Sequence, residues 1–162
     1  MEKWTNGVML KMTLMSKKKK KKRSFLSATN IAFHVHLSGD RCYSSHETFV
    51  FDVEEMDTGN NYDVSDGNFD VPVTGTYVFT LTVGSVRRTF VTAEMIVNGQ
   101  VKGTAFANSD EINDDHSATG TIVVKVNAGD HVFVRRGNAT QNCSVRSGNG
   151  IIFTSFSGWL LF

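Results

Sequence analysis

From Ala28 to the last residue, apolar side chains recur at every second position, and no window of helical length carries an apolar stripe. That period confines the chain to extended structure, because successive side chains of a strand point to opposite faces of a sheet. Ile31, Phe33, Val35 and Leu37 alternate with Ala32, His34 and His36, and Tyr77, Phe79, Leu81 and Val83 alternate with Val78, Thr80 and Thr82. Each set reads as one buried face of a strand. Asn98-Gly99, between Ile96-Val97 and Val101, is a strong hairpin signal, since a tight primed turn needs positive φ at both central residues. Similar punctuation falls at Gly59-Asn60, Asp66-Gly67, Ala128-Gly129-Asp130 and Gly148-Asn149-Gly150. Strands separated by such turns predict an all-β sandwich or barrel.

With 162 residues, 40% of them hydrophobic and 20% charged, the chain has the make-up of one domain with a real core. Its opening stands apart. Residues 1–27 combine a short Met/Leu-rich piece with six consecutive lysines, which repel one another and bury nothing, so they read as a disordered leader to a folded domain over 28–162. Lys3, Lys11, Lys17 to Lys22 and Arg23 hold 9 of the 17 basic residues. From residue 24 onward 8 basic residues face 15 acidic ones, a net charge of −7 that argues against nucleic acid as the folded domain's partner. Contact with a membrane is expected only through the lysine run. Val8 to Met15 is short and interrupted by Lys11, unlike a secretory signal, and no stretch is long enough to cross a bilayer.

The ending departs from simple alternation. Ile151, Ile152, Phe153, Phe156, Trp159, Leu160, Leu161 and Phe162 place large apolar groups on both sides of an extended segment. One side can pack into the domain, and the other, in a two-layer fold, must be covered from outside. Self-association is the expected cover, a loop of the same chain being the alternative.

Phe51, Asp57, Tyr62, Phe69, Gly75, Tyr77 and Phe79 stand in the order and spacing of the C1q-domain signature, with Leu81 at a final position that is normally aromatic. Val97-Asn98-Gly99, the stretch Gly120 to Val126 followed by Gly129-Asp130 and Val132, and the ending Phe156-Ser157-Gly158-Trp159-Leu160-Leu161 add to the likeness. Residues 28–162 thus resemble the C1q / tumour necrosis factor-like superfamily, as a lone globular head without a collagen region. The resemblance implies a ten-stranded, two-sheet jelly roll that works as a homotrimer, with Phe156, Trp159 and Leu161 in the core or at the trimer interface. Gly75 and Gly158 are expected where backbones approach closely. The family topology also implies that one end collects the loops around residues 38–46, 84–89, 107–118 and 137–149.

Cys42 and Cys143 fall in the first and last of those loops, so a bridge is compatible with the topology, two free thiols being the alternative. The loop from Asn108 to His116 offers Asp110, Asp114 and Asp115 as hard oxygen ligands, a candidate calcium site against the plainer reading of a solvated acidic loop. No cofactor is required by any motif. Arg87, Arg88, Arg135, Arg136 and Arg146 lie in or beside the same loops, either as donors to carboxylates, phosphates and sugar hydroxyls or as neutralising partners of the acidic loop of a neighbouring subunit. Asn138 and Asn142 each begin a glycosylation acceptor triplet.

There is no nucleophile elbow, phosphate-cradling loop or metalloprotease motif, so an enzyme is not expected. What the resemblance implies is a secreted, lectin-like recognition module of innate immunity, binding glycans or microbial surface molecules with the avidity of a trimer. Its alternative is an extracellular receptor ligand or adaptor, as in cytokine-like and synaptic relatives.

Overall fold

In the computed structural model, which describes residues 30–138, 144–148 and 150–162, the alternating runs pair into two antiparallel sheets with no helix among the described residues. The strands are β1 (Ala32–His36), β2 (Arg41–Cys42), β3 (Val53–Asp57), β4 (Tyr62–Asp63), β5 (Asn68–Asp70), β6 (Gly75–Ser85), β7 (Phe90–Val97), β8 (Gln100–Asn108), β9 (His116–Val126), β10 (His131–Arg136), β11 (Ser144–Arg146) and β12 (Ser155–Leu160). Twelve strands thus stand among the described residues where ten were expected, and β2 and β4, of two residues each, account for the difference. The larger sheet runs β2-β11-β6-β12-β1-β3, with β9 on the other edge of β6; the smaller runs β4-β5-β10-β7-β8. This is the expected jelly roll. The lysine-rich leader and its boundary lie outside the described residues.

The period-two sets fill the space between the sheets. Phe33, Val35 and Leu37 of the first run, and Tyr77, Phe79, Leu81 and Val83 of β6, are fully or almost fully buried. Phe33 is the meeting point of the aromatic core, with its ring centroid 4.4 Å from that of Phe69 and 5.1 Å from that of Phe156. Offset and edge contacts of this kind add to the stabilisation from burial alone. The signature residues divide between this core and its supports. Phe51, Phe69, Tyr77 and Phe79 are core rings. Tyr62 is buried and its hydroxyl accepts the Phe51 N–H at 3.1 Å, while Tyr77 donates its hydroxyl to the Val73 carbonyl at 2.8 Å. Asp57 accepts the N–H groups of Gly59, Asn61 and Tyr62, so its carboxylate closes the β3–β4 turn.

The Asn98-Gly99 turn has φ of 48° and 76°, as the hairpin joining β7 and β8 requires. Gly158 answers to a different demand. It sits opposite Phe79 in β6 and Phe33 in β1, and a Cβ built on it would lie 2.5 Å and 2.6 Å from their ring carbons. Only a residue without a side chain lets both rings close over β12.

The ending is organised differently from the expectation. Ile151, Ile152 and Phe153 do not belong to the last strand; they form a tight turn in which Gly148 donates its N–H to the Ile152 carbonyl. Within β12, Phe156 and Gly158 face the core, whereas Ser155, Ser157 and Trp159 face outward. Leu161 and Phe162 continue beside β6, the Leu161 N–H on the Thr76 carbonyl and the Thr76 N–H on the Phe162 carbonyl.

At the start of the β1–β2 connection, Asp52 accepts the Ser38 N–H and hydroxyl and pairs with Arg41 at 2.8 Å. Burial pushes its carboxyl upward, but these donors win and draw it down to about 2.

Two outcomes are expected. Gly158→Ala forces Phe33 and Phe79 apart and costs about 1–3 kcal/mol, read as a lowered urea midpoint with the m-value unchanged. The contribution of Asp52 is complete above about pH 4, the ordinary carboxylate range, and is lost as the pH falls towards about 2. Stability of the wild-type chain therefore falls more steeply over that interval than stability of Asp52→Asn, as denaturation at stepped pH measures.

Candidate recognition surface at the loop end

The β1–β3, β6–β7, β8–β9 and β11–β12 connections meet at one end of the sandwich because β6, β9 and β11 finish or begin in register there. Ser85 lies opposite both His116 and Val145. Beneath the surface Ser85 and Ser109, both buried, share a hydrogen bond of 2.7 Å between their hydroxyls, which ties the β6–β7 loop to the β8–β9 loop. Arg88 adopts φ of 61° and donates its N–H to the Ser109 and Ile112 carbonyls. The Arg87-Arg88 tip is therefore a built turn.

Arg146 is the hub of this end. Its Nε lies 2.7 Å from Asp115 Oδ2 and its Nη1 2.5 Å from Asp40 Oδ2, so one guanidinium joins the β1–β2, β8–β9 and β11 segments. Asp115 also accepts the Arg87 N–H at 2.8 Å. Burial works to raise the Asp115 carboxyl, but the Arg146 side chain, the Arg87 N–H and the two guanidinium charges hold it below its ordinary range. Those same carboxylates raise Arg146 further.

This geometry sorts the sequence candidates. Arg146 is engaged by two carboxylates of its own chain. Arg135 pairs with Glu94 at 2.8 Å and braces the smaller sheet, and Arg136 donates to the Tyr43 carbonyl, tying β10 to the β2–β3 connection. Arg88 reaches the Glu111 carbonyl at 3.3 Å. Arg87 is exposed, and among the described residues no ion pair engages its guanidinium. Asp110, Asp114 and Asp115 do not converge. Asp115 turns to Arg146, Asp114 accepts the Asp115 N–H, and no three acidic, histidine or cysteine side chains among the described residues form a cluster able to hold a metal ion.

Cys42 is disulfide-bonded and lies opposite Ser144 in the β2–β11 pair; Cys143 and Asn142 lie outside the described residues. Asn138 is exposed and its side-chain oxygen accepts the Ser45 hydroxyl at 2.5 Å. Sequence reasoning missed Asp40 and Asp52. Their partners stand 106 and 11 residues away, and no local spacing announces an ion pair closed by sheet topology.

The comparisons with known proteins fit this architecture. A family model described as C1q domain matches residues 32–161. Complement C1q tumor necrosis factor-related protein 3 of Mus musculus is 30% identical over 116 residues, which cover 70% of this chain and 44% of that protein. The chain thus spans less than half the length of that curated relative. Among solved structures, the globular domain of zebrafish complement 1qA protein matches with a TM-score of 0.66 at 16% identity, over 82% of this chain and 98% of that one. Eiger TNF from S. frugiperda matches with a TM-score of 0.63 at 14% identity, over 83% and 94%. At such identities the solved structures speak for the fold alone, a jelly roll. The family match over almost every folded residue, with the signature aromatics in one core, makes this chain a member of the C1q domain family.

Proposed function

We propose that this domain is a secreted, non-enzymatic recognition module that assembles as a homotrimer and binds glycans or microbial surface molecules through its loop end. One observation carries the reading: an exposed apolar band crosses the outer face of the larger sheet. Val123, Val78, Trp159 and Ala32 stand in register across four strands, and Val123 and Trp159 are 64% and 39% exposed. Leu161 and Phe162 extend this apolar band, at 50% and 80% exposure.

Much of the rest of that face is polar and paired across strands. Thr82 and Thr119 share a hydrogen bond of 2.8 Å, Thr121 donates to Thr80 at 3.2 Å, and His34 and Ser157 meet at 2.6 Å. Hydroxyls that bond one another across strands lose little when water leaves, so a second copy can dock here without orphaning polar groups. Phe156, by contrast, is wholly internal, which leaves Trp159 and Leu161 as the contact residues of the sequence reading. Assembly through this face repeats the loop end on one rigid head, and repeated weak sites gain avidity.

A second reading, a receptor ligand contacted from the side, is favoured by a different feature. Phe106, 51% exposed, meets Phe90 edge-on at 5.8 Å on the outer face of the smaller sheet. A protein partner would cover such an aromatic pair.

Light scattering on the full chain is expected to give three times the chain mass, and Trp159→Asp a monomer that keeps its far-ultraviolet spectrum. A wild-type monomer at micromolar concentration contradicts the proposal. On glycan arrays and bacterial surfaces, probed with calcium and with chelator, Arg87→Ala is expected to weaken binding at least tenfold. If it binds like wild type while Phe106→Ser abolishes a saturable protein partner, the second reading replaces the first.

A further inference from the structure

Between the β1–β2 connection and the segment after β11 lies a cleft of about 290 Å³, lined by Ser38, Asp40, Arg146, Ser147, Gly148 and Ile151 among others. Its walls are prebuilt. Ser147 donates its hydroxyl to the Leu37 carbonyl at 2.9 Å and accepts the Thr154 N–H at 3.1 Å, and Asp40 accepts the Ser147 N–H at 2.8 Å. A ligand entering here orders little that is not ordered already.

The charge of the cleft narrows what can enter. Arg146 is held between Asp40 and Asp115, so one guanidinium faces two carboxylates. An anion would meet net negative charge, and a simple cation would meet Arg146. A neutral pair of hydroxyls suits both. Asp40, whose side chain is 45% exposed, keeps lone pairs for O–H donors. Arg146 stands in ion-pair distance of Asp115 and donates to Asp40 through Nη1, and a guanidinium carries five N–H donors, so it retains donors for a hydroxyl oxygen. Held against each other, Asp40 and Arg146 set an acceptor beside a donor, the arrangement that adjacent hydroxyls on one ring require. Ile151, 72% exposed at the rim, supplies an apolar wall for the C–H face of that ring. The volume sits at the low end for small-molecule sites, which run from about 300 Å³ upward, and limits the guest to a single ring.

We infer that this cleft binds one neutral sugar ring through a vicinal diol held by Asp40 and Arg146, with Ile151 against its apolar face. The inference rests on the glycan-recognition reading and deepens it. The loop end then carries two subsites of different chemistry, a cationic tip at Arg87 and Arg88 for anionic groups and a charge-compensated cleft for neutral ones.

The test titrates the isotope-labelled full chain with methyl α-mannopyranoside and methyl β-galactopyranoside, with inorganic sulfate as the competing anion. Saturable amide shifts at Ser38, Gly148 and Ile151 are expected with at least one glycoside, unaffected by sulfate. Ile151→Glu, an exposed position where the fold does not depend on the side chain, is expected to weaken them at least tenfold, and Lys102→Ala, on the β7–β8 hairpin, to leave them unchanged. Equal affinity in Ile151→Glu overturns the site. So does the failure of both glycosides in a chain that still binds bacterial surfaces through Arg87, which spares the wider reading. Failure of every carbohydrate and surface probe removes both.

Discussion

The contact of β12 with its two neighbours carries the rest of the structure. Phe156 packs against Phe33, Phe51 and Phe79, and Gly158 lets the rings of Phe33 and Phe79 close over the strand. The last strand is thus laid between β1 and β6 with its inner face sealed. Everything on the outer face follows from that register. Trp159 is turned outward because Phe156 and Gly158 are turned inward, and it falls in line with Val78 and Ala32 because the three strands pair without a slip there.

The middle and the loop end of the sandwich then have different work. Long strand pairing, eleven residues between β6 and β9, holds the middle rigid. At the loop end, backbone pairing runs out and side chains take over: Asp52 for Ser38 and Arg41, Arg146 for Asp40 and Asp115, Ser85 for Ser109. Polar groups exposed by the loss of ladder bonds find partners in one another, and the loops gain a defined shape while keeping Arg87 and Ile151 in water.

The fold was legible in the sequence because its determinants are local. Alternation marked the strands at Ile31 to Leu37 and Tyr77 to Val83, and Asn98-Gly99 marked the hairpin with its own backbone demand. The signature Asp57 was visible as a position, although its role as acceptor for three backbone N–H groups was not. Less of the candidate site could be read. Five arginines look alike in a sequence, and only the folded chain separates Arg135, spent on Glu94, from Arg87, left in solvent. The acidic loop was hard to read for the same reason. Asp110, Asp114 and Asp115 are close in sequence, yet Asp115 is turned by a partner that comes from β11. Ile151 to Phe153 looked like strand by composition, but the glycines before them bend the chain back on itself.

The β3 edge of the larger sheet bears on how such a molecule stays soluble. A strand with one free side is a template for another strand, and β3 occupies that position with Glu54 and Glu55 exposed along it and Asp57 at its end. Carboxylates brought rim to rim repel, so lateral extension into fibres is discouraged. The broad outer face of that sheet, crossed by Val123, Trp159 and Ala32, carries no such row of carboxylates, and the proposed contacts between copies there would close upon themselves and stop at a fixed number.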